Sequence, residues 1–140
     1  MKKILIVDDE ESIQEMLRRV LEHDGHLVIT AGKGQTALQW LKETRLDLAI
    51  VDLGLPDISG MEVCRAIKED PRTRCIPVII LTGDSSNEAR IAGNLGNSVE
   101  LFLNKPVSIE DLKKAVALSF EKADKKKLLL RNSVRSRLEN

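Results

Sequence analysis

The sequence predicts an α/β fold, a doubly wound five-stranded parallel sheet with helices on both faces. Two observations lead to this prediction. Short continuous runs of Ile, Leu and Val recur along the chain, as is typical of strands that are buried on both faces. The runs alternate with segments whose apolar residues recur at helical spacing, which implies parallel strands joined by crossover helices. At 140 residues the chain has the length of one ordinary domain.

The individual elements follow from these patterns. Predicted strands lie at residues 4–7, 27–31, 48–51, 78–81 and 101–103. Predicted helices have apolar residues within 13–21, 37–41, 61–67 and 112–120, and a fourth helix is expected before the last strand. Ser12 and Glu15 have the spacing of a capping box, and Gly25 is a helix stop signal. Residues 93–98 hold two glycines and three polar turn-formers, so we expect the fourth helix to be short, frayed or shifted.

The composition excludes few functions, because 22 basic residues balance 22 acidic ones. The charges are unevenly placed, however: residues 121–140 carry seven Lys or Arg against three acidic residues, and residues 1–120 carry the opposite net charge of −4. The apolar run at the N-terminus is too short for a secretory or membrane-spanning segment. Cys64 and Cys75 form no CxxC motif. We therefore expect a cytoplasmic protein that does not enter a membrane.

Five polar residues stand where apolar runs stop, namely Asp8, Asp9, Asp52, Thr82 and Lys105. The carboxyl ends of parallel strands meet at one edge of a sheet, and ligands bind there at the point where the strand order reverses. The order 2-1-3-4-5 places that point between the first and third strands. We therefore expect the five side chains to line one pocket.

The residue types in this pocket predict phosphoryl chemistry. Three adjacent carboxylates repel one another unless a cation joins them, and Mg²⁺ prefers carboxylate oxygens. A metal-bound carboxylate with a free oxygen can attack a phosphoryl group. Lys105 and Thr82 would stabilise the phosphoryl oxygens, and Gly83 would leave room for the phosphate.

Each of these residues also has a structural explanation when it is taken alone. Asp8 or Asp9 is suited to cap the first helix, and Asp52 to anchor the turn that follows it. Thr82 is suited to cap the fourth helix, and Lys105 to be a solvated charge. Agreement of all five in type and in position at strand ends favours a joint site.

Other functions of such a fold lack their motifs here. No G-x-G-x-x-G follows the first strand, where four acids at 8–11 would repel a dinucleotide. The chain has no G-x-x-x-x-G-K-[ST] loop. A haloacid-dehalogenase-type phosphatase would need a second Asp two residues after its nucleophile, and Gly54 stands there.

The motifs together resemble the receiver domain of bacterial two-component response regulators. The matching segments, over about residues 3–120, are Ile-Val-Asp8-Asp9-Glu10, Asp52-Leu-Gly-Leu-Pro56-Asp-Ile-Ser-Gly60, Leu-Thr82-Gly83 and Asn-Lys105-Pro106. The resemblance implies a flavodoxin-like (βα)₅ fold and a self-modifying switch that is not a turnover enzyme. We expect a receiver domain at 1–120 and a basic, helical C-terminal extension at 121–140.

The resemblance also implies the reaction and its metal. Asp52 would accept a phosphoryl group from a histidine kinase or a histidine phosphotransfer protein. Asp9 and Asp52 would bind Mg²⁺ directly and Asp8 largely through water, and the backbone carbonyl of Gly54 would add a ligand.

Lys105 and the switch residues complete the implied site. Lys105 would pair with the phosphoryl oxygens, and its bond to Pro106 would be a cis peptide. Gly83 would lie against the phosphate. On activation Thr82 would move toward the phosphate, and Phe102 would turn inward.

Three functions stay open at this point. The first is a stand-alone receiver, or one cut from a longer regulator, that controls a partner or output domain through the face of the fourth helix, fifth strand and last helix. The second is a phosphorelay intermediate that passes its phosphoryl group to a histidine phosphotransfer protein. The third is a metal-dependent phosphatase.

Apolar residues also recur at helical spacing in the extension, at Ala123, Leu130, Val134 and Leu138. They allow a homodimer through the C-terminal helix. One basic triplet at 125–127, without aromatic residues, argues against direct nucleic-acid binding.

Overall fold

A computed structural model describes residues 1–83, 90 and 101–139 of the chain. The expected irregularity at 93–98 and the fourth helix lie outside these residues. The elements are β1 (Lys3–Val7), α1 (Glu11–His23), β2 (Leu27–Ala31), α2 (Gly34–Glu43), β3 (Leu48–Asp52), α3 (Gly60–Glu69), β4 (Val78–Thr82), β5 (Leu101–Asn104) and a C-terminal helix (Ile109–Glu139).

The five strands form one parallel sheet in the order β2-β1-β3-β4-β5, which confirms the predicted fold class and strand order. Val7 pairs with Val51, and Asp52 pairs with Leu81. Because the strands end level with one another, the residues that follow them emerge along a single edge. The register therefore brings residues that are far apart in sequence to the carboxyl edge of the sheet.

Alternate strand residues fill two apolar cores, one on each face of the sheet. Leu5 and Val7 belong to the core beneath α2 and α3, whereas Ile4 and Ile6 belong to the core beneath α1 and the C-terminal helix. β1, β3 and β4 are almost completely buried. Full burial of each such side chain stabilises the fold by roughly 1.5–3 kcal/mol. The sheet is thus a rigid support for its edge residues.

The ends of α1 show one prediction that is confirmed and one that is wrong. Gly25 adopts a positive φ of 89° just past the helix, which is the conformation expected of a glycine stop signal. The capping box is not formed, because α1 begins at Glu11 and Ser12 lies inside the helix. Glu10 is the N-cap residue, and its side chain makes no capping hydrogen bond.

The C-terminal helix continues well past the body of the domain. Leu112, Ala115, Val116 and Ser119 are buried against the sheet. From residue 121 to 135 every side chain except the half-buried Ala123 is exposed. Within the described residues, no helix combines the length and apolar character that crossing a bilayer requires.

Candidate functional site

The predicted site residues lie together at the carboxyl edge of the sheet. Asp8 follows β1, Asp52 and Thr82 end β3 and β4, and Lys105 follows β5. Asp8 is completely buried, and Asp52 and Thr82 are only 7% and 6% exposed. The edge is therefore a largely buried polar pocket whose opening lies on the side of Asp9 and Glu10, which are exposed.

Lys105 joins the acidic residues of this pocket. Its ammonium nitrogen lies 3.0 Å from Oδ2 of Asp8 and 3.3 Å from Oδ2 of Asp52. A third carboxylate, that of Glu10, lies 3.5 Å away. The Lys105 side chain is only 17% exposed, so the alternative that it is a solvated surface charge is wrong.

The electrostatics of the pocket follow from burial and from these contacts. Burial raises the pKa of Asp8, and this effect outweighs the backbone hydrogen bond from Glu10 and the contact with Lys105, both of which lower it. For Lys105, burial acts to lower the pKa, but its hydrogen bond to Asp8 and the nearby charge of Asp52 raise it overall. Lys105 thus stays charged and offsets part of the repulsion between the carboxylates of Asp8 and Asp52.

Asp8, Asp9 and Glu10 offer the donor set of a cation site. Among the described residues, their carboxylate oxygens form the one group of at least three potential metal ligands whose atoms all lie within 4.8 Å of one another. Asp52 is not part of this group and is held on Lys105 instead. Oxygen donors in this number suit Mg²⁺, so the residues present fit the implied metal.

The turn after Asp52 folds back onto its own start. Oδ1 of Asp52 accepts a hydrogen bond of 3.4 Å from the backbone N–H of Gly54, as expected of an anchored turn. The N–H of Gly60 donates to the carbonyl of Leu53 at 3.2 Å. A Cβ on Gly60 would lie 2.2 Å from the Asp52 carbonyl oxygen, so glycine alone allows this close approach.

Asp57, in the same turn, connects the site to α2. Its two carboxylate oxygens accept hydrogen bonds of 2.8 Å and 3.0 Å from the first two backbone N–H groups of the helix, at Gly34 and Gln35. The Gln35 bond, followed by that of Gly34, lowers the pKa of Asp57 to about 2. Ile58 occupies the space that a Cβ on Gly34 would need. The turn that carries Asp52 is therefore fastened to the N-terminus of α2.

The remaining predicted residues lie on or beside β4 and β5. Thr82 pairs in register with Asn104, and its carbonyl accepts a 2.8 Å hydrogen bond from the N–H of Lys105. Gly83 is exposed, with no atom within 4 Å of the position of a Cβ. Phe102 is half-buried and packs against the core beneath α2 and α3. The Lys105–Pro106 peptide bond is cis, which confirms the expectation from the resemblance.

The structure adds three residues that the sequence reasoning did not place in the site. Glu10 contacts Lys105, and Asp57 holds the turn. Gln14, one turn into α1, donates from Nε2 to the carbonyl of Asp8. Neither Asp8 nor Asp9 is the N-cap of α1, and Oδ1 of Asp8 instead accepts a 2.9 Å bond from the N–H of Glu10. The position of Glu10 directly after two aspartates was the available signal.

The protein is an α/β domain whose doubly wound sheet carries acidic residues and a half-buried lysine at its switch point. The chain belongs to the response regulator receiver family, since the model of the response regulator receiver domain matches residues 4–117. Receiver domains are signalling switches of two-component systems. Response regulators interact with histidine kinases and with output domains.

Similar proteins agree with this assignment. The phosphate regulon transcriptional regulatory protein PhoB of Rhizobium meliloti is 36% identical over 121 residues, 86% of this chain and 53% of that protein. The response regulator ArlR of Staphylococcus saprophyticus is 33% identical over 129 residues, 92% of this chain and 57% of that protein. The chain thus spans about half the length of the curated relatives that it matches.

Solved structures show the same fold. The chemotaxis response regulator CheY4 of Vibrio cholerae is 31% identical, with a TM-score of 0.79 over 85% of this chain and 98% of that one. The response regulator TrrA of Thermotoga maritima, in complex with Mg²⁺ and BeF, is also 31% identical, with a TM-score of 0.74 over 84% of this chain and 97% of that one.

Proposed function

We propose that this receiver takes a phosphoryl group from a histidine kinase onto the carboxylate of Asp52 and then changes conformation to control a partner or an output domain. One observation carries the proposal. At the switch point of the sheet, the carboxylates of Asp8 and Asp52 both contact the ammonium group of Lys105, at 3.0 Å and 3.3 Å. A lysine held at this place can pair with an incoming phosphoryl oxygen as soon as one carboxylate contact is released.

In the proposed reaction, a carboxylate oxygen of Asp52 attacks the phosphorus atom and forms a P–O bond. The P–N bond of the donor phosphohistidine breaks, and the imidazole nitrogen keeps the electron pair and takes a proton from solvent. The product is an acyl phosphate, a form of covalent catalysis that is known for Asp. The 3.4 Å hydrogen bond from the N–H of Gly54 helps to hold the Asp52 side chain in place.

We propose that Asp8, Asp9 and Asp52, with the backbone carbonyl of Gly54, hold Mg²⁺. When bound, the ion would neutralise the carboxylates and one phosphoryl oxygen. Glu10 is a competing ligand, because its carboxylate lies within the acidic group and Asp52 does not. Titration calorimetry with Mg²⁺ separates the two sets, since Asp52→Asn lowers the affinity more than Glu10→Gln if Asp52 is a ligand. The reverse order would assign the site to Glu10.

Thr82 and Phe102 are proposed as the switch. Thr82 ends β4 beside the phosphoacceptor strand, and Phe102 pairs with Ile80 on the neighbouring strand. Phosphorylation adds about two negative charges and three acceptor oxygens. These would draw the Thr82 hydroxyl and Lys105 inward, and Gly83 would admit the phosphate beside them. Phe102 would then occupy the space that Thr82 vacates.

The test of the phosphoacceptor is intact mass after incubation with Mg²⁺ and acetyl phosphate. The wild type should gain one phosphoryl group, and Asp52→Asn should gain none. Asp70→Asn is the control, because Asp70 pairs with Arg72 at 2.9 Å outside the pocket, and its loss should leave uptake intact. Uptake by Asp52→Asn would refute the assignment, and steady release of phosphate from diverse phosphomonoesters would indicate a phosphatase.

We further propose that residues 1–120 form the receiver and that the basic helix beyond them pairs with a second copy. Leu128, Leu129, Leu130 and Val134 are 54–68% exposed on that helix. Sedimentation equilibrium should show a dimer that Leu129→Lys with Leu130→Lys dissociates. A wild-type monomer at all accessible concentrations would rule this pairing out.

A further inference from the structure

A cleft at the amino edge of the sheet, opposite the phosphoryl site, has the features of a ligand site. It measures about 410 Å³, within the range of small-molecule sites. Its walls come from the end of α2 and the loop that follows, the turn before β4, and the C-terminal helix. Strands of five residues place this amino-edge cleft about 16 Å from the carboxyl edge.

The floor of the amino-edge cleft is apolar. It is formed by Leu41, Leu46, Ile76, Pro77 and Phe120. Leu41, Leu46 and Ile76 are nearly completely buried, so they offer a firm surface. Phe120 is half-buried, its ring centroid lies 5.6 Å from that of His26, and it lines the cleft. A flat apolar body can be held on such a floor.

The rim of the cleft carries surplus positive charge. Lys42, Arg45 and Lys127 line it, and none of their side chains makes a hydrogen bond or ion pair within the described part of the chain. Lys2 lies over the Phe120 ring at 5.6 Å. These four cations line the same cleft, and no ion pair joins any of them to an acidic side chain among the described residues.

The acidic residues of the cleft, Glu43, Asp47 and Asp124, offset three of these four cations and leave a net charge of +1. Asp47 accepts a 2.8 Å hydrogen bond from the backbone N–H of Lys3, and Glu43 accepts one of 3.1 Å from Gln39. Asp124 is the third acid at the rim. Arg72, a fifth cation, is neutralised by Asp70 at 2.9 Å. The cleft therefore keeps a net positive rim around an apolar floor.

We propose that the amino-edge cleft binds an amphipathic organic anion, with an aromatic or branched apolar body and a carboxylate, sulfonate or phosphate group. The body would lie against Phe120 and Leu46, and the anionic group would face Lys42, Arg45 and Lys127. Phe120 and Lys127 lie beyond residue 117, where the family match ends. The site is thus a property of this chain and does not follow from membership of the family.

The probe for this site is anilinonaphthalene sulfonate, which combines a flat aromatic body with one anionic group. Titration of the full chain should give a saturable fluorescence increase with one molecule bound. Lys42→Gln with Arg45→Gln should weaken binding by roughly fivefold or more. N-phenylnaphthylamine, which lacks the sulfonate, should bind alike to both proteins because the apolar floor is unchanged.

Two further variants locate the site. Lys125→Gln removes a lysine from the same helix, outside the cleft, and should bind the probe as the wild type does. Leu129→Lys changes the exposed apolar surface farther along the helix and should also leave binding unchanged. Absence of saturable binding, equal affinity in the Lys42/Arg45 double variant, or loss of binding in Leu129→Lys would each overturn the proposal. None of these readouts involves Asp52.

Discussion

The two edges of this sheet handle charge in opposite ways. At the carboxyl edge, Asp8, Asp52 and Glu10 converge on one lysine, and the closest pair is almost entirely buried. At the amino edge, Lys42 and Arg45 are exposed, with no acidic partner in the described part of the structure. At one edge the charged groups contact one another, and at the other they face the solvent.

The difference follows from how each edge is built. Residues at the carboxyl edge follow directly on buried strands, so their side chains are held in low dielectric and must find partners. The amino edge is lined by loops and by the side of a helix, where water solvates a charge at little cost. A buried edge whose charged groups contact one another is suited to an exchange of partners within the site, whereas an exposed edge is suited to binding a ligand from solution.

The largest expected effect comes from removing the central cation. Lys105→Met should lower the free energy of unfolding by about 3 kcal/mol, because it leaves the buried carboxylate of Asp8 beside that of Asp52 without compensation. The measurement is urea denaturation at neutral pH without Mg²⁺. Addition of Mg²⁺ should recover part of the loss, since a cation that binds the folded state stabilises it.

Arg45→Met at the amino edge is the matched control. It removes the same charge from a position without a partner, and it should change stability by no more than about 0.5 kcal/mol. An equal loss of unfolding free energy in Lys105→Met and Arg45→Met would contradict the difference between the two edges.

The second prediction concerns the turn that carries Asp52. Gly60→Ala should destabilise the protein by about 2–3 kcal/mol, because the new Cβ would lie 2.2 Å from the Asp52 carbonyl oxygen and 2.8 Å from Cα of Leu53. Gly54→Ala is the control, since its Cβ would meet only Oδ2 of Asp52, at 4.0 Å. Thermal unfolding of both variants measures the difference in their stability. If Gly60→Ala were as stable as the wild type, the turn could move away from β3.

The third prediction is a dependence on pH at Asp57. Hydrogen bonds from Gln35 and Gly34 lower its pKa from 3.8 to about 2, so the folded state favours the charged carboxylate. Its contribution to stability is therefore complete above the ordinary pKa and is lost as the pH falls through about 2. Asp57→Ala should be less stable than the wild type at pH 7, and the gap should narrow in acid. A gap that stays constant would mean that the carboxylate charge is not involved.

The last prediction, with the smallest expected effect, concerns the chemical labelling of the two cysteines. Cys75 is exposed at the rim of the amino-edge cleft, whereas Cys64 is buried in the core, where burial raises the pKa of its thiol to about 12. Iodoacetamide should add one label to the native protein, at Cys75, and a second only in denaturant. Peptide mapping checks the positions, and rapid native labelling of Cys64 would show that the core beneath α2 and α3 opens readily.

The contrast between the edges also explains what the sequence could predict. Asp8, Asp52 and Lys105 each stand next to an apolar run. Because the carboxyl ends of the parallel strands are aligned, such residues lie close together for any conformation of the loops. That part of the site, together with the fold class and strand order, could be predicted. The roles of Thr82 and Phe102 depend on a change of state, and they remain predictions.

Features that depend on loop conformation could not be predicted in the same way. The contact of Asp57 with α2 joins residues about 22 positions apart through a turn whose path no local pattern specifies. The amino-edge cleft needs the C-terminal helix to run past the body of the domain. The capping box at Ser12 was wrong by two residues, since the N-cap is Glu10, and helix ends are the least determined part of a periodic pattern.

The C-terminal helix spans 31 residues without a glycine or proline, and it is therefore about 46 Å of unbroken rod. Its first three turns pack against the sheet, and the side chains at 124–135 are exposed. A tilt of about 10° at the packed end would swing the free end by about 5 Å, because the projecting part is roughly 28 Å long. Small adjustments at its base would thus be magnified mechanically at its tip.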